Sequence, residues 1–600
     1  MLLSAVACLT APAVLANEIS DQFLVTASRT VQSLGETMAQ AIIVSREEIA
    51  AAGPVSLVEL LQRRAGVEIR ATGGPGQPSS VFIRGANGTH TLVLIDGQRV
   101  SSSTSGATAL ENIPLELIDR IEIVKGPRSG YYGSDAIGGV IQIFTRRGQT
   151  SGGYISLAAG NNSSQSADVG MTAVMGASTV TLAAGHQKID APSVTNPLAG
   201  PYTYHADRDP YKNAYGKIAL SHRFSVSDQL RLNLWNSKGK TNFDSGPGLP
   251  EAVNNQTLTG VALQSDNQLM VDWNSRLSMG QTIDDSHIES AYGGQFKTEQ
   301  AHFSWLNEVK FAGADLTAGL ERRQEEVSGT TVYTNATRTT DALLMAASQK
   351  IASLSWSANL RHDREQQFGT RSTGGLTLGY QMTPAHFWYA SAASGFRAPS
   401  FNDLYYPGFS NSFLQPEKSR SQEIGWRMRN SDVRLNLAVF DNKIENLIAF
   451  DFMTFKPQNI TSARIRGVEF DLEATLAGIN WRLQMTAQSP KDVSTDKQLR
   501  SRAKIYGAIG ASKNVGAWQW QVDAVAGGLR FDSADESSSA RLGGYTLLNA
   551  SLRFAIDRQW QIALTGTNLA DRVFELARGY NQSGRQLILQ VKFNVNSDRK

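Results

Sequence analysis

Cysteine is almost missing from this 600-residue sequence: the single one, Cys8, lies in the opening stretch MLLSAVACLTAPAVLANE. That stretch is apolar and rich in small residues, and Val14-Leu15-Ala16 forms a signal-peptidase site before Asn17, so residues 1–16 read as a signal peptide. Its basic n-region is missing, which puts the expected true start upstream. Ala5-Val6-Ala7-Cys8 has the form of a lipobox, but the apolar run before it is too short. A mature chain without thiols suits an oxidising compartment.

Long apolar runs are also lacking. No later segment reaches the 18 or so consecutive apolar residues of a spanning helix, and mean hydropathy of -0.25 with 41% hydrophobic residues excludes a bundle of membrane helices. A net charge of +3 is too near balance to argue for nucleic acid as a partner. Catalytic apparatus is absent as well. There is no Gly-x-Ser-x-Gly, His-Glu-x-x-His or paired-cysteine motif, and the eight histidines lack ligand spacing, so no enzyme is expected. The Gly-rich run GPRSGYYGSDAIGG has no GK[ST] and is read as tight turns that open no helix, which removes a phosphate-binding loop.

What is present falls into two parts. Up to about Arg147 the pattern is mixed. Ser45-Arg46-Glu47-Glu48 and Ser56-Leu57-Val58-Glu59 fit the S-x-x-E capping box and each opens a short helix, stopped by Gly53 and Gly66. Strand-like runs follow at Val67–Ile69, Val81–Ile83, Leu92–Ile95, Ile121–Val124 and Val140–Phe144, which together make a small α+β domain. After Gly148 the period becomes two. Ile424, Trp426 and Met428 alternate with Glu423, Gly425 and Arg427; Val433, Leu435, Leu437 and Val439 share one face; Leu587, Leu589, Val591 and Phe593 oppose Gln586, Gln590 and Lys592.

A soluble β-sandwich also alternates. The secretory start, the length without a domain break, and long polar loops alternating with tight turns favour an outer-membrane barrel. At ~20 residues per strand with its connection, roughly 445 residues make about 22 strands. The fold class expected is therefore mainly β, an antiparallel transmembrane β-barrel of that size with an N-terminal α+β plug filling a lumen that is otherwise open.

Over nearly its full length the chain resembles the TonB-dependent outer-membrane transporters. The resemblance rests on SSVFIRGANGTHTLVLIDGQRV (79–100) and IEIVKGPRSGYYGSDAIGGVIQIFTRRG (121–148), then GFRAPSFNDLYYP, QPEKSRSQEIG, ARIRGVEFDLEA and NLADRVFE in that order. It implies a TonB-box segment over 17–30, a plug over 31–148 and a barrel over 149–600. Within it, Asp21, Gln22, Phe23, Leu24, Val25, Thr26 and Ala27 resemble the TonB box, an extended segment that pairs edge-to-edge with periplasmic TonB and its ExbB/ExbD motor. An outer membrane has no ATP or sustained potential, so a plugged pore needs such a handle. The resemblance also implies a plug–barrel interlock of Arg84 and Lys125 with Glu423 and Glu469. Lysine at 125 stands where arginine is common and offers a point charge in place of a fork.

Within this family the stretch GGPGQPSSVFIRGANGTH is most similar to the vitamin B12 (cobalamin) transporters. That implies a corrinoid or related chelate as cargo, held by apical plug loops through Pro75, Gly76, Gln77, Ser79, Ser101, Ser102, Ser103 and Ser105. It further implies calcium on Asp190, Asp207 and Asp209, although Asn236 stands where another carboxylate is expected and calcium wants six to eight oxygens. No other cofactor is expected. Outer-membrane lipid and lipopolysaccharide are the surroundings implied for a monomer. Iron as haem or a ferric siderophore is the rival cargo: Phe396 to Pro399 read FRAP as in haem receptors, but no histidine lies between Pro399 and Pro416 to serve as axial ligand. Tyr405, Tyr406 and Phe409 are the aromatic groups a siderophore site would use. A passive porin or adhesin is disfavoured by the plug and the box.

Overall fold

The structure is a computed structural model and describes residues 24–25, 29, 32–33, 37–245, 252–291, 293–451 and 453–596. The expected signal peptide with Cys8, and all of the TonB-like box except Leu24 and Val25, lie outside the described residues. Leu24–Val25 pairs antiparallel with Gln32–Ser33.

Both capping boxes form. Ser45 Oγ accepts from Glu48 N and Glu48 returns to Ser45 N, starting the helix Arg46–Ala52; Ser56 and Glu59 do the same for Leu57–Arg64. Leu57, Leu60 and Leu61 are buried on a five-stranded sheet whose order is Ala41–Val44, Ile118–Lys125, Gly139–Thr145, Thr91–Ile95, Gln98–Arg99. The pair Thr91–Ile95 and Gly139–Thr145 is parallel and the rest antiparallel. Trp235, Leu258, Tyr545 and Leu547 of the surrounding wall join the same apolar cluster, so the plug core has no solvent boundary on that side.

The sequence offers no warning of two of these pieces. Ala41–Val44 is a strand although its neighbours do not alternate, because it caps the edge of Ile118–Lys125. The run GPRSGYYGSDAIGG does contain a helix, Ser129–Tyr132, which corrects the expectation of turns alone. Its single turn is stabilised by tertiary packing, with Tyr131 and Tyr132 buried beside Leu92, Leu306 and Leu344.

From Gly152 onward, 22 antiparallel strands close into one barrel, each bonded to its sequence neighbour, with Gly152–Gly160 joined to Gln586–Asn596. The period-two reading gives the sides correctly: Glu423 is 8% exposed and Ile424 is 60% exposed, and Leu587 and Leu589 point out while Ile588 is buried. Short turns such as Ala312–Gly313 and Ala477–Gly478 alternate with long connections, 193–207, 398–416, 493–504 and 568–585 among them. Trp481, Trp518 and Trp560 stand exposed at the short-turn end, as interfacial aromatics do in membrane barrels.

Candidate functional site

Arg84 lies two residues past the plug strand Ser79–Phe82, in the left-handed region at φ 51°, aimed at the wall. Its Nε donates to Glu469 Oε2 and its Nη1 to Glu423 Oε2, both at 2.8 Å, while Nη2 donates to Gln40 Oε1 at 2.9 Å. Lys125 Nζ reaches Glu469 Oε1 at 3.3 Å. All four charged groups are at most 8% exposed. The expected set of Arg84, Lys125, Glu423 and Glu469 is thus brought together. The two carboxylates push the Arg84 guanidinium above its ordinary range, outweighing the burial that opposes them.

A second junction, not expected from the sequence, lies on the long-loop side. Asn87 N donates to His90 Nδ1 at 3.1 Å, so Nε2 carries the proton and donates to Glu417 Oε2 at 2.9 Å. Arg397 Nη1 and Ile448 N also donate to Glu417, at 2.9 and 2.8 Å. Plug and three strands meet on one carboxylate. His90 and Glu417 each lie inside a family-like motif, but 327 residues separate them and no spacing rule connects such a pair.

The apical loops are partly spent on holding the plug. Gln77 is buried and donates to Asn242 O at 2.7 Å; Gly76 O accepts from Thr241. Ser79 Oγ donates to Glu111 Oε2 at 2.9 Å and Ser103 Oγ to Glu325 Oε1 at 2.7 Å. Ser102 pairs with Thr298, and Ser101 O accepts from Gln300. Three of the expected contact residues, Gly76, Gln77 and Ser103, are therefore buried wall anchors, and buried Ser79 is tied to Glu111 within the plug, which corrects the reading of all four as free cargo contacts. Ser105 is exposed, and Pro75, Ser101 and Ser102 are half-buried at the cup. Beneath them a cavity of about 200 Å³ runs between the plug and the wall, past Gly73, Glu111, Lys188, Tyr211 and Ser583. Only glycine fits at position 76, since a Cβ there would meet the Tyr211 ring at 2.2 Å.

Beside the cup, Asp207, Asp209 and Asp244 offer carboxylate oxygens within 4.8 Å of one another. Asp190 is not with them: its carboxylate pairs with Arg208 at 2.7 Å, and Asp244 takes its place in the group. The reason is register. Asp190 pairs with Pro210 on the neighbouring strand, directed away from the loop that Asp244 closes. Val194 N donates to Asp209 Oδ2 at 2.8 Å and Thr195 Oγ1 donates to Asp244, while Asp207 Oδ1 and Asp244 Oδ1 are buried without a hydrogen-bond partner. Burial, with the nearby Asp244 charge, raises Asp207 above the usual carboxylate range. Three convergent carboxylates with two orphaned oxygens fit a hard cation. Asn236 instead donates to Leu258 O and Thr259 Oγ1.

A 22-stranded barrel closed by an ion-locked N-terminal plug defines an outer-membrane receptor of the gated kind. The chain belongs to the TonB-dependent receptors: the family's plug-domain model matches residues 33–140 and its β-barrel model residues 144–569. It is similar to the vitamin B12 transporter BtuB of Photobacterium profundum, with 29% identity and 96% of both chains covered. In fold it is similar to the siderophore receptor PirA of Acinetobacter baumannii, at TM-score 0.80, 16% identity and 92% and 98% of the two chains. The copper transporter OprC superposes at TM-score 0.79 and 15% identity, covering 92% of this chain and 99% of that one.

Proposed function

We propose that this outer-membrane receptor imports a corrinoid, vitamin B12 or a close analogue, by TonB-dependent active transport. The observation that carries the reading is the end-to-end similarity to a vitamin B12 transporter, plug and barrel alike. The cup supports it: Ser101, Ser102, Ser105 and the loop backbone offer many small donors and acceptors, suited to a rim of amides. Asp207, Asp209 and Asp244 would hold a calcium ion there, relieving the mutual repulsion of their carboxylates and ordering the 193–207 loop before cargo arrives. TonB would take the Asp21–Ala27 segment as an added strand and pull on the plug.

A ferric siderophore is the second reading, favoured by the outward cluster of Phe296, Tyr406 and Phe409. Binding to the purified receptor separates the two. Cyanocobalamin should bind several-fold more tightly in calcium than in EGTA, and Asp244→Ala should erase the difference. The calcium effect should fade as pH falls, because protons compete for the raised Asp207 carboxylate. Calcium-independent binding would remove the ion alone; binding of ferric siderophores with no corrinoid bound would replace the cargo.

A further inference from the structure

The plug is not held evenly round the ring. From Arg208–Arg223 to Tyr545–Ala555 it bonds to the wall at intervals: Tyr211 Oη donates to Glu111 O at 2.9 Å, Asn112 Nδ2 to Gln256 Oε1 at 3.0 Å, Thr282 Oγ1 to Arg99 O at 2.8 Å and Ser551 Oγ to Ala51 O at 2.7 Å. The lock on Glu423 and Glu469 lies within this arc. Among the described residues, no plug hydrogen bond reaches the four neighbouring strands Trp560–Thr567, Gln586–Asn596, Gly152–Gly160 and Gln165–Met175. In that sector Thr565 Oγ1 is buried without a hydrogen-bond partner.

The same sector is hollow. The cavity of about 200 Å³ beneath the cup begins at Gly74 and Ser583 and descends past Gln187, Asn549 and Gln590. A second, of about 20 Å³, continues it: Ile49, Gly53, Glu116 and Gln590 line both, and its far end is at Gln561 and Lys592, beside the short-turn end marked by Trp560. The two meet where Gly53 faces Thr565, so closely that a Cβ on residue 53 would lie 2.1 Å from Thr565 Oγ1. Protein interiors are close-packed, so two voids in line along an unbonded seam mark a weakness in the fold. Opening there breaks no plug–wall hydrogen bond, whereas at the bonded strands each lost bond leaves a buried orphan.

We propose that this seam is the route of the cargo: when the plug is drawn, its 53–56 connection leaves Thr565 and the chelate passes between the plug and these four strands, while the rest of the ring keeps its hold. At rest the seam is shut, because a cavity of about 200 Å³ is below the roughly 300 Å³ at which sites for drug-sized ligands begin. Its lining suits passage. Ser164, Gln187, Asn549 and Gln590 present hydroxyls and amides, which hand a polar chelate along by weak, exchangeable bonds. The inference rests on the reading of the chain as an active importer, and not on which chelate it carries.

The test is thiol labelling of the full-length receptor in living cells. Thr565→Cys on the seam and Thr373→Cys half-way round the ring are matched positions, 1% and 4% exposed, with Gln590→Cys as a second seam position. Heat-modifiable gel mobility reports that each barrel is folded. Cells are offered cyanocobalamin or a ferric catechol siderophore together with a membrane-impermeant maleimide dye. During uptake, labelling of both seam cysteines should rise roughly tenfold over cells without TonB, while Thr373→Cys stays at that baseline. Receptor labelled at Thr565→Cys should then accumulate less cargo by a similar factor, and wild type treated with the dye should be unaffected. Uptake without labelling of the seam cysteines, equal labelling of Thr373→Cys, or undiminished uptake by the labelled receptor would overturn the seam and leave the importer standing. Uptake of neither cargo by wild type would overturn both.

Discussion

Arg84 is the residue on which the most chemistry converges. A non-glycine residue at φ 51° is uncommon, and here the left-handed turn aims a guanidinium at two carboxylates. The sequence makes the four partners of this lock legible only through a resemblance, because charge alternation alone tells which side of a strand Glu423 faces and nothing about what meets it. Glu417 and His90 were invisible for the same reason. Asp244 was missed because it lies just past the end of Gln229–Phe243, one strand beyond the one that carries Asp209, and only the pairing of the two strands brings it near. Glu111 gives a prediction at this scale. Burial pushes its carboxyl up to about 8, so the folded plug prefers it protonated. Its contribution to stability is full below its ordinary range and is lost as pH rises through about 8. Urea unfolding of the plug at about pH 5 and about pH 9 should show a larger loss of stability for wild type than for Glu111→Gln, which keeps the acceptor for Ser79.

At the level of elements, what local chemistry dictates is readable and what the surroundings impose is not. The helices at 46–52 and 57–64 follow from their capping boxes, and barrel strands from period two. The Ser129–Tyr132 turn and the Ala41–Val44 strand exist because of what packs on them. The proposed TonB-binding segment, Asp21 to Ala27, belongs to this scale, since it would act by its backbone. Val25→Pro removes an amide from a segment that must pair edge-to-edge. Cells carrying it should bind cargo at the surface at parental levels and accumulate at least tenfold less inside. Undiminished accumulation would rule out this segment as the handle.

For the whole molecule, the plug is held by ions on one side and by shared apolar packing on another. Replacing Glu423 and Glu469 by Gln leaves Arg84 buried without a counter-charge, at a cost of about 3–5 kcal/mol for breaking such a pair. The barrel keeps its strand bonds, so it should stay folded while cells become permeable to large antibiotics. Equal exclusion by mutant and parent would show that the lock is elsewhere.

The ring of strands also sets where the barrel has to close. Gly152–Gly160 follows the plug directly in the chain, yet its second neighbour, Gln586–Asn596, is more than 400 residues away in sequence. Without that pairing the wall would be a curved ribbon with two raw edges, one of them tethered to the stopper. Side entry of the plug is possible only while that join is open, and the join comes from opposite ends of the barrel sequence, the slowest kind of contact to find. A wall lacking Gln586–Asn596 would be an open-sided trough with its stopper at the lip, so that this single join separates a finished gate from a leak.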